Sequence, residues 1–212
     1  GAALREYFEN YNGDNTTYYK KWKDLTNESV LTAFKGYEIT QNSATYYSIA
    51  GKLVYCDKNL TMTRRAPQVG TPGAGNDYYG LGQNLFGNSF TAAIKVNEIT
   101  FPAEAEQVVY LYNTGRFTDW GNANSTNNGS GLTAGQYTAI PKNASPAVYD
   151  GQIPSMNGFL VKFLPAYTVP SVDDKTLTVK YNGGGVTPNT KPQTTPPAPL
   201  SYLQIGLQSQ ST

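Results

Sequence analysis

Histidine is absent from all 212 residues. Without imidazole the chain has no histidine metal triad, no Ser-His-Asp triad and no Cys-His dyad. Cysteine is almost as scarce. Cys56 stands alone, so no internal disulfide can staple the fold, which must rest on its core. With no base to activate it, the thiol reads as buried and inert, at the end of what looks like a strand through Leu53-Val54-Tyr55. Charged residues make up only 15% of the chain and sum to +1, which gives no field to draw nucleic acid or anionic lipid. No apolar run is long enough for a membrane span, and no signal peptide is present. The chain begins at Gly1 rather than Met, which reads as a processed or engineered start.

What is abundant points to one class. Tyr (17) and Thr suit a half-buried pleated surface, while Gly (21), Pro (13) and Asn suit the turns between strands. An apolar content of 39% is enough for a core. The expectation is an all-β protein.

The organising stretch is Gly80–Pro102. Leu85-Phe86 runs into Gly87-Asn88, a pair that tolerates positive φ, and the chain resumes with Ile94, Val96, Ile99 and Phe101 in near alternation, which predicts strand, tight turn, strand. A later echo, Gln152–Pro165, sets Gly158 before Phe159 and Leu160, Val161, Phe163 and Leu164, the pattern of a strand buried on both faces. Upstream, Leu4, Tyr7 and Phe8 in Ala2–Asn10 have helical spacing, stopped by the turn cluster at 10–15. Thr17–Trp22 reads as a strand, Asp24–Ser29 as a polar turn, and Tyr46–Tyr55 as a further β-type run.

Phe34-Lys-Gly-Tyr-Glu-Ile39 aligns with Met156-Asn-Gly-Phe-Leu-Val161 at an offset of 122, each followed by an alternating strand ending in Tyr55 or Tyr181. This predicts an internal repeat in two superposable sheets, with close approaches at Gly36 and Gly158. The alternative is that both halves arrived independently at a common strand pattern. The repeat divides the chain into a partial first β-module at 1–64, truncated at its N-terminus, a Gly/Pro linker at 65–79 and a second module at 80–182. A Pro-rich spacer at 183–200 and the start of a further strand at 201–212 follow. The spacer holds five prolines between 188 and 199, and a chain ending inside a strand pattern is expected to continue in a longer protein. The Gly/Asn-rich run at 121–135 reads as a long loop.

Three stretches, Gly82-Gln-Asn-Leu-Phe-Gly-Asn-Ser-Phe90, Val109-Tyr-Leu-Tyr-Asn-Thr-Gly115 and Ile153-Pro-Ser-Met-Asn-Gly-Phe-Leu-Val-Lys162, carry a resemblance. Together they resemble the repeated β-modules of large secreted and cell-surface proteins of Bacteroidetes, modules that often precede a C-terminal sorting domain. The likeness covers residues 80–181 well and 1–55 in part, departing at Ser89, usually Pro, and Asn157, usually Gln. It implies a jelly-roll-like β-sandwich and an extracellular or outer-surface location. It supplies no catalytic residue to carry over.

Function must therefore be argued from sites. The carboxylates are scattered and mostly beside turn residues, with Asp173-Asp174 reading as a solvated turn. A glycosidase would need two of them facing across a cleft. The Asn-rich loop lacks the alternating carboxylates of a calcium site, and no metal or other cofactor is expected. Aromatics beside polar groups make the better case. Trp120 with Asp119 and Asn122 at the edge of the long loop, and Tyr78-Tyr79 at the end of the linker, have the composition to stack on a sugar while accepting its hydroxyls. For Trp22 packing over the sheet edge is the favoured reading; for Trp120 packing and binding stand level. The expected partner is a glycan or a host or matrix protein. The expected role is a non-catalytic surface module for adhesion or glycan binding, with a purely structural fibre module as the alternative and a glycosidase behind both.

Overall fold

The structure is a computed structural model that describes residues 2–9, 22–26, 29–41, 50–65, 82–112, 136–143 and 151–188. Its regular structure is almost wholly β, in antiparallel sheets.

Twelve strands are described, in chain order β1 (Ala2–Tyr7), β2 (Trp22–Asp24), β3 (Tyr37–Gln41), β4 (Lys58–Arg64), β5 (Gln83–Gly87), β6 (Ala93–Lys95), β7 (Val108–Tyr112), β8 (Tyr137–Pro141), β9 (Gln152–Ile153), β10 (Gly158–Lys162), β11 (Asp173–Val179) and β12 (Val186–Thr187). They form four sheets, ordered β2-β1-β3, β5-β10-β7-β8, β11-β4 and β12-β6-β9. Alternation decides which side chains face inward. Asn84 and Phe86 of β5, Val109 and Leu111 of β7, Leu60 and Met62 of β4, and Leu177 and Val179 of β11 are all buried. Phe159, Leu160 and Val161 make the middle of β10 buried on both faces, as its apolar run predicts.

All of these but Asn84 and Leu160 belong to one apolar cluster, which also takes in Phe34, Phe90, Ile94, Ile99 and Ile153. The 64/65 boundary expected between modules falls among strands that share this core. β4 pairs with β11 along seven residues, from Lys58↔Val179 to Arg64↔Asp173.

The organising stretch behaves differently from its pattern. β5 and β6 are not a hairpin: they lie in different sheets, and the chain crosses between them through a bend at 88–92 that carries the fully buried Phe90. Asn88 makes the crossing affordable in hydrogen bonds. Its Oδ1 accepts from the Phe90 N–H at 2.9 Å, and its Nδ2 donates to the Ala92 and Ile153 carbonyls, both at 2.9 Å. Asn84 does similar work at the edge of β4, accepting from the Thr63 N–H at 2.8 Å and donating to the Thr63 carbonyl at 3.1 Å, so one carboxamide replaces a neighbouring strand. Leaving such buried groups unpaired would cost about 1–3 kcal/mol each. After β6 the expected strand gives way to a single 3-10 turn, Val96–Glu98.

The two aligned segments occupy related places in the same neighbourhood. Phe34 and Met156 share the left-handed φ of 64°, and both turns run into backbone that pairs with β5. They flank β5 from opposite sides, the first running on into β3 of the three-stranded sheet and the second into β10 of the four-stranded sheet. Lys35 bridges Phe86 on one edge, and Phe159 pairs with Phe86 on the other. Gly36 meets its expected close approach: a Cβ there would stand 2.3 Å from Leu85 Cγ. Gly158 does not, since its nearest neighbour would be the Phe86 carbonyl oxygen at an ordinary 3.7 Å.

Other expectations are corrected. Ala2–Tyr7 is a strand, because pairing with β2 on one side and β3 on the other outweighs its helical spacing. Asp24 ends β2 instead of opening a turn, and Asp173-Asp174 begins β11. Cys56 is exposed. Residues 50–57 carry no strand; the chain turns where the Asp57 carboxylate accepts the Tyr181 and Asn182 N–H groups at 2.8 and 3.0 Å, and only then does β4 begin. Val186 and Thr187, at the head of the expected spacer, pair with Ile94 and Ala93.

Candidate binding face

The four-stranded sheet turns one side to the core and the other outward. On the outward side the alternation of Val108–Tyr112 presents Tyr110 and Tyr112, while β8 presents Tyr137 and Ala139, β10 presents Leu160 and Lys162, and β5 presents Gln83 and Leu85. Leu160 pairs with Tyr110, which pairs with Ala139, and Lys162 pairs with Gln83. The small Ala139 beside large rings leaves a shallow groove of about 240 Å³ lined by Gln83, Tyr110, Tyr137, Ala139, Leu160 and Lys162.

At one end of this face Tyr112 and Tyr137 are neighbours, with ring centres 5.2 Å apart and planes tilted by 55°. They remain 42% and 55% exposed, an unusual degree for two touching aromatics that a core would otherwise absorb. Deeper in, the Lys162 Nζ lies 4.1 Å from the centre of the Tyr110 ring, and the Tyr110 hydroxyl donates to Glu106 Oε2 at 2.7 Å. Burial first, and then that carboxylate, push the Tyr110 hydroxyl up to about 12. The Tyr137 hydroxyl is raised too, by burial and then by Tyr112 and Glu38. Both are therefore neutral donors at any physiological pH.

A second aromatic group lies on the three-stranded sheet. Trp22 packs edge-on against Tyr7 with ring centres 5.3 Å apart, and the Arg5 guanidinium stands 5.7 Å from the Trp22 ring while pairing with Glu38 at 2.7 Å. Trp22 is thus a packing residue, as favoured from sequence. Nearby, the buried Glu9 carboxylate accepts the Gly82 N–H, and the buried Arg64 donates from Nε to the Tyr167 carbonyl at 3.1 Å. Burial lowers the Arg64 pKa and the negative charge of Glu9 opposes the fall.

The carboxyls with resolved shifts, Asp57 and Asp173, are both held low, Asp57 by the two backbone N–H groups and Asp173 by Lys175 and Tyr167. A general acid needs the opposite shift. Among the described residues there is no group of three or more side chains able to hold a metal ion, and no helix is long and apolar enough to cross a membrane.

The five residues singled out from sequence, Tyr78, Tyr79, Asp119, Trp120 and Asn122, all lie outside the described residues. Three of them fall in the segment 113–135, between described residues of β7 and β8. Tyr112 is the last residue described before it, and Gln136 and Tyr137 are the first after it, so its two ends bracket the exposed tyrosine pair. Tyr110, Tyr112 and Tyr137 escaped the sequence reading. The signal was there in Val108–Tyr112, where aliphatic and tyrosine alternate, but an outward tyrosine stripe becomes a site only once β8 and β10 are set beside it.

No family model matches the chain, and no solved structure is significantly similar. A similarity over 195 residues relates it to the minor fimbrium subunit Mfa5 of Porphyromonas gingivalis, with 38% identity and 86% of this chain covered. The chain spans 14% of the length of that relative.

Proposed function

We propose that the chain is a non-catalytic β-domain of an exported bacterial surface protein, of the kind that is built into or displayed on a fimbrium. The single observation that carries this reading is the 38% identity with a fimbrium subunit over most of the chain. The all-β fold supports it. Within that role the domain binds a glycan through exposed aromatics beside polar side chains. Trp120, with Asp119 and Asn122, is the proposed anchor on the segment that leaves the sheet at Tyr112, and Tyr78 and Tyr79 are the proposed second contact. A purely structural fibre role is the alternative, in keeping with the apolar cluster that packs the four-stranded sheet against β4 and β11.

Thermal melts and a glycan array on the wild type and Trp120→Ala separate the readings. An anchor ring loses about 1–3 kcal/mol of binding on removal and almost no stability, whereas a packed Trp costs about 3–5 kcal/mol of stability. Loss of array signal with an unchanged melting temperature is the expected result. A large fall in melting temperature would place Trp120 in packing, and no signal from the wild type on any glycan would leave the structural role.

A further inference from the structure

We infer that the outward groove between Tyr110, Tyr137 and Lys162 is a subsite for one carboxylate-bearing sugar ring, with the Lys162 ammonium taking the carboxylate. The inference rests on the glycan-binding reading above and adds a place and a ligand class to it. Three observations carry it. The groove, at about 240 Å³, falls below the roughly 300–1,000 Å³ of sites that enclose a drug-sized molecule, so it suits a single ring rather than a long ligand buried whole. Its lining is apolar at Leu160 and Ala139 and polar at Gln83, Tyr110 and Tyr137, the amphipathic match to a pyranose with one C–H face and a ring of hydroxyls. The third is charge. Among the described residues Lys162 forms no ion pair, a state it shares with Lys23, Lys52, Lys58, Lys95 and Lys142, while Lys35, Lys175 and Lys180 each have a carboxylate within 4.0 Å. Lys162 is instead held over the Tyr110 ring, and Glu106 is engaged by the Tyr110 hydroxyl.

A half-buried cation on an aromatic face has its direction fixed before a ligand arrives, which lowers the ordering cost of binding an anion. An acidic peptide would share the charge but not the placement. Extended peptides gain main-chain hydrogen bonds by adding to a sheet edge, whereas Lys162 and Tyr110 belong to β10 and β7, the two central strands, whose backbones are already paired on both sides.

The test uses the full chain and four probes, methyl glucuronoside, sialyllactose, methyl glucoside and lactose, titrated by protein-detected NMR. Either carboxylated probe is expected to bind about fivefold or more tighter than its neutral counterpart, the size of one charge-assisted hydrogen bond in a half-exposed site. Which of the two binds names the source of the carboxylate. Lys162→Gln should erase the preference and Lys162→Arg should keep it. Tyr137→Ala, at an exposed edge position, should weaken every probe without moving the melting temperature. Equal affinity for acidic and neutral probes, a preference that survives Lys162→Gln, or displacement by a glutamate-rich peptide at the same concentration would each overturn the inference. If Trp120→Ala abolishes binding while Lys162→Gln leaves it intact, this subsite is wrong and the glycan-binding reading stands.

Discussion

The two faces of the β5-β10-β7-β8 sheet are made from the same few strands and have opposite fates. Inward, β7 and β10 present Val109, Leu111, Phe159 and Val161, each no more than 2% exposed. Outward, the same strands present Tyr110, Tyr112 and Lys162, half-wet and held by ring contacts and one hydroxyl bond. The difference teaches where specificity resides. The inner face is apolar surface removed from water and sets stability, at about 25 cal/mol per Å² buried, while the outer face leaves area and polar groups unspent for a partner.

The largest test of that division is Phe159→Ala set against Tyr137→Ala. Phe159 is fully buried and packs against Phe86 with ring centres 5.6 Å apart, so its removal should cost about 3–5 kcal/mol in a urea melt. Tyr137→Ala should stay within about 0.5 kcal/mol of the wild type, as for an exposed position. Comparable losses would mean that the outer face is a second core rather than a binding surface.

A smaller effect is expected where the N-terminal sheet reaches the outer face. Leu85 points outward and fills the space over Gly36, so a methyl there must displace both its side chain and its backbone. Gly36→Ala should cost about 1–3 kcal/mol by differential scanning fluorimetry. Gly158→Ala, the aligned position on the other edge of β5, meets only ordinary contact and should be close to neutral. Equal effects at the two glycines would make the aligned segments equivalent in packing as well as in φ.

The legible part of this fold was the part governed by local pattern. The apolar run at 159–161 announced a strand buried on both faces, and the paucity of charge with many tyrosines and glycines announced the all-β class. What pattern could not show was set by partners distant in sequence. Leu4 and Tyr7 have helical spacing, yet Leu4 pairs with Ile39 of β3 and Tyr7 with Trp22 of β2, partners that lie outside any helical window. Cys56 follows an apolar pair but turns out to solvent because Asp57 is tied to Tyr181 and Asn182. Asn88 was visible in the singled-out motif as part of a turn pair, and Asn84 only as a member of the motif. Their work as buried bridges depends on Thr63 and Ile153, which no short window contains. The binding face follows the same rule, since Tyr137 and Lys162 become neighbours of Tyr110 only through strand order.

The finest distinction between the faces is how dry the outer one is, and Tyr110 reports it through pH. Its hydroxyl is raised from an ordinary 10 to about 12, chiefly by burial and secondarily by the Glu106 carboxylate it donates to. The folded state therefore holds the proton more tightly than the unfolded chain does. The resulting stabilisation is present in full below pH 10 and is lost as pH climbs from 10 towards 12. Other tyrosines, Tyr7 and Tyr137 among them, are raised in the same direction, so the wild-type curve alone cannot isolate one hydroxyl. Tyr110→Phe does. Near pH 8 the variant should lose only the hydrogen bond, about 0.5–1.5 kcal/mol. Between pH 10 and 12 its stability should fall less steeply than that of the wild type, and the two urea-melt curves should converge. Parallel curves across that window would show the Tyr110 hydroxyl to be solvated like any surface phenol, and the outer face would then be too wet to hold a sugar ring against its tyrosines.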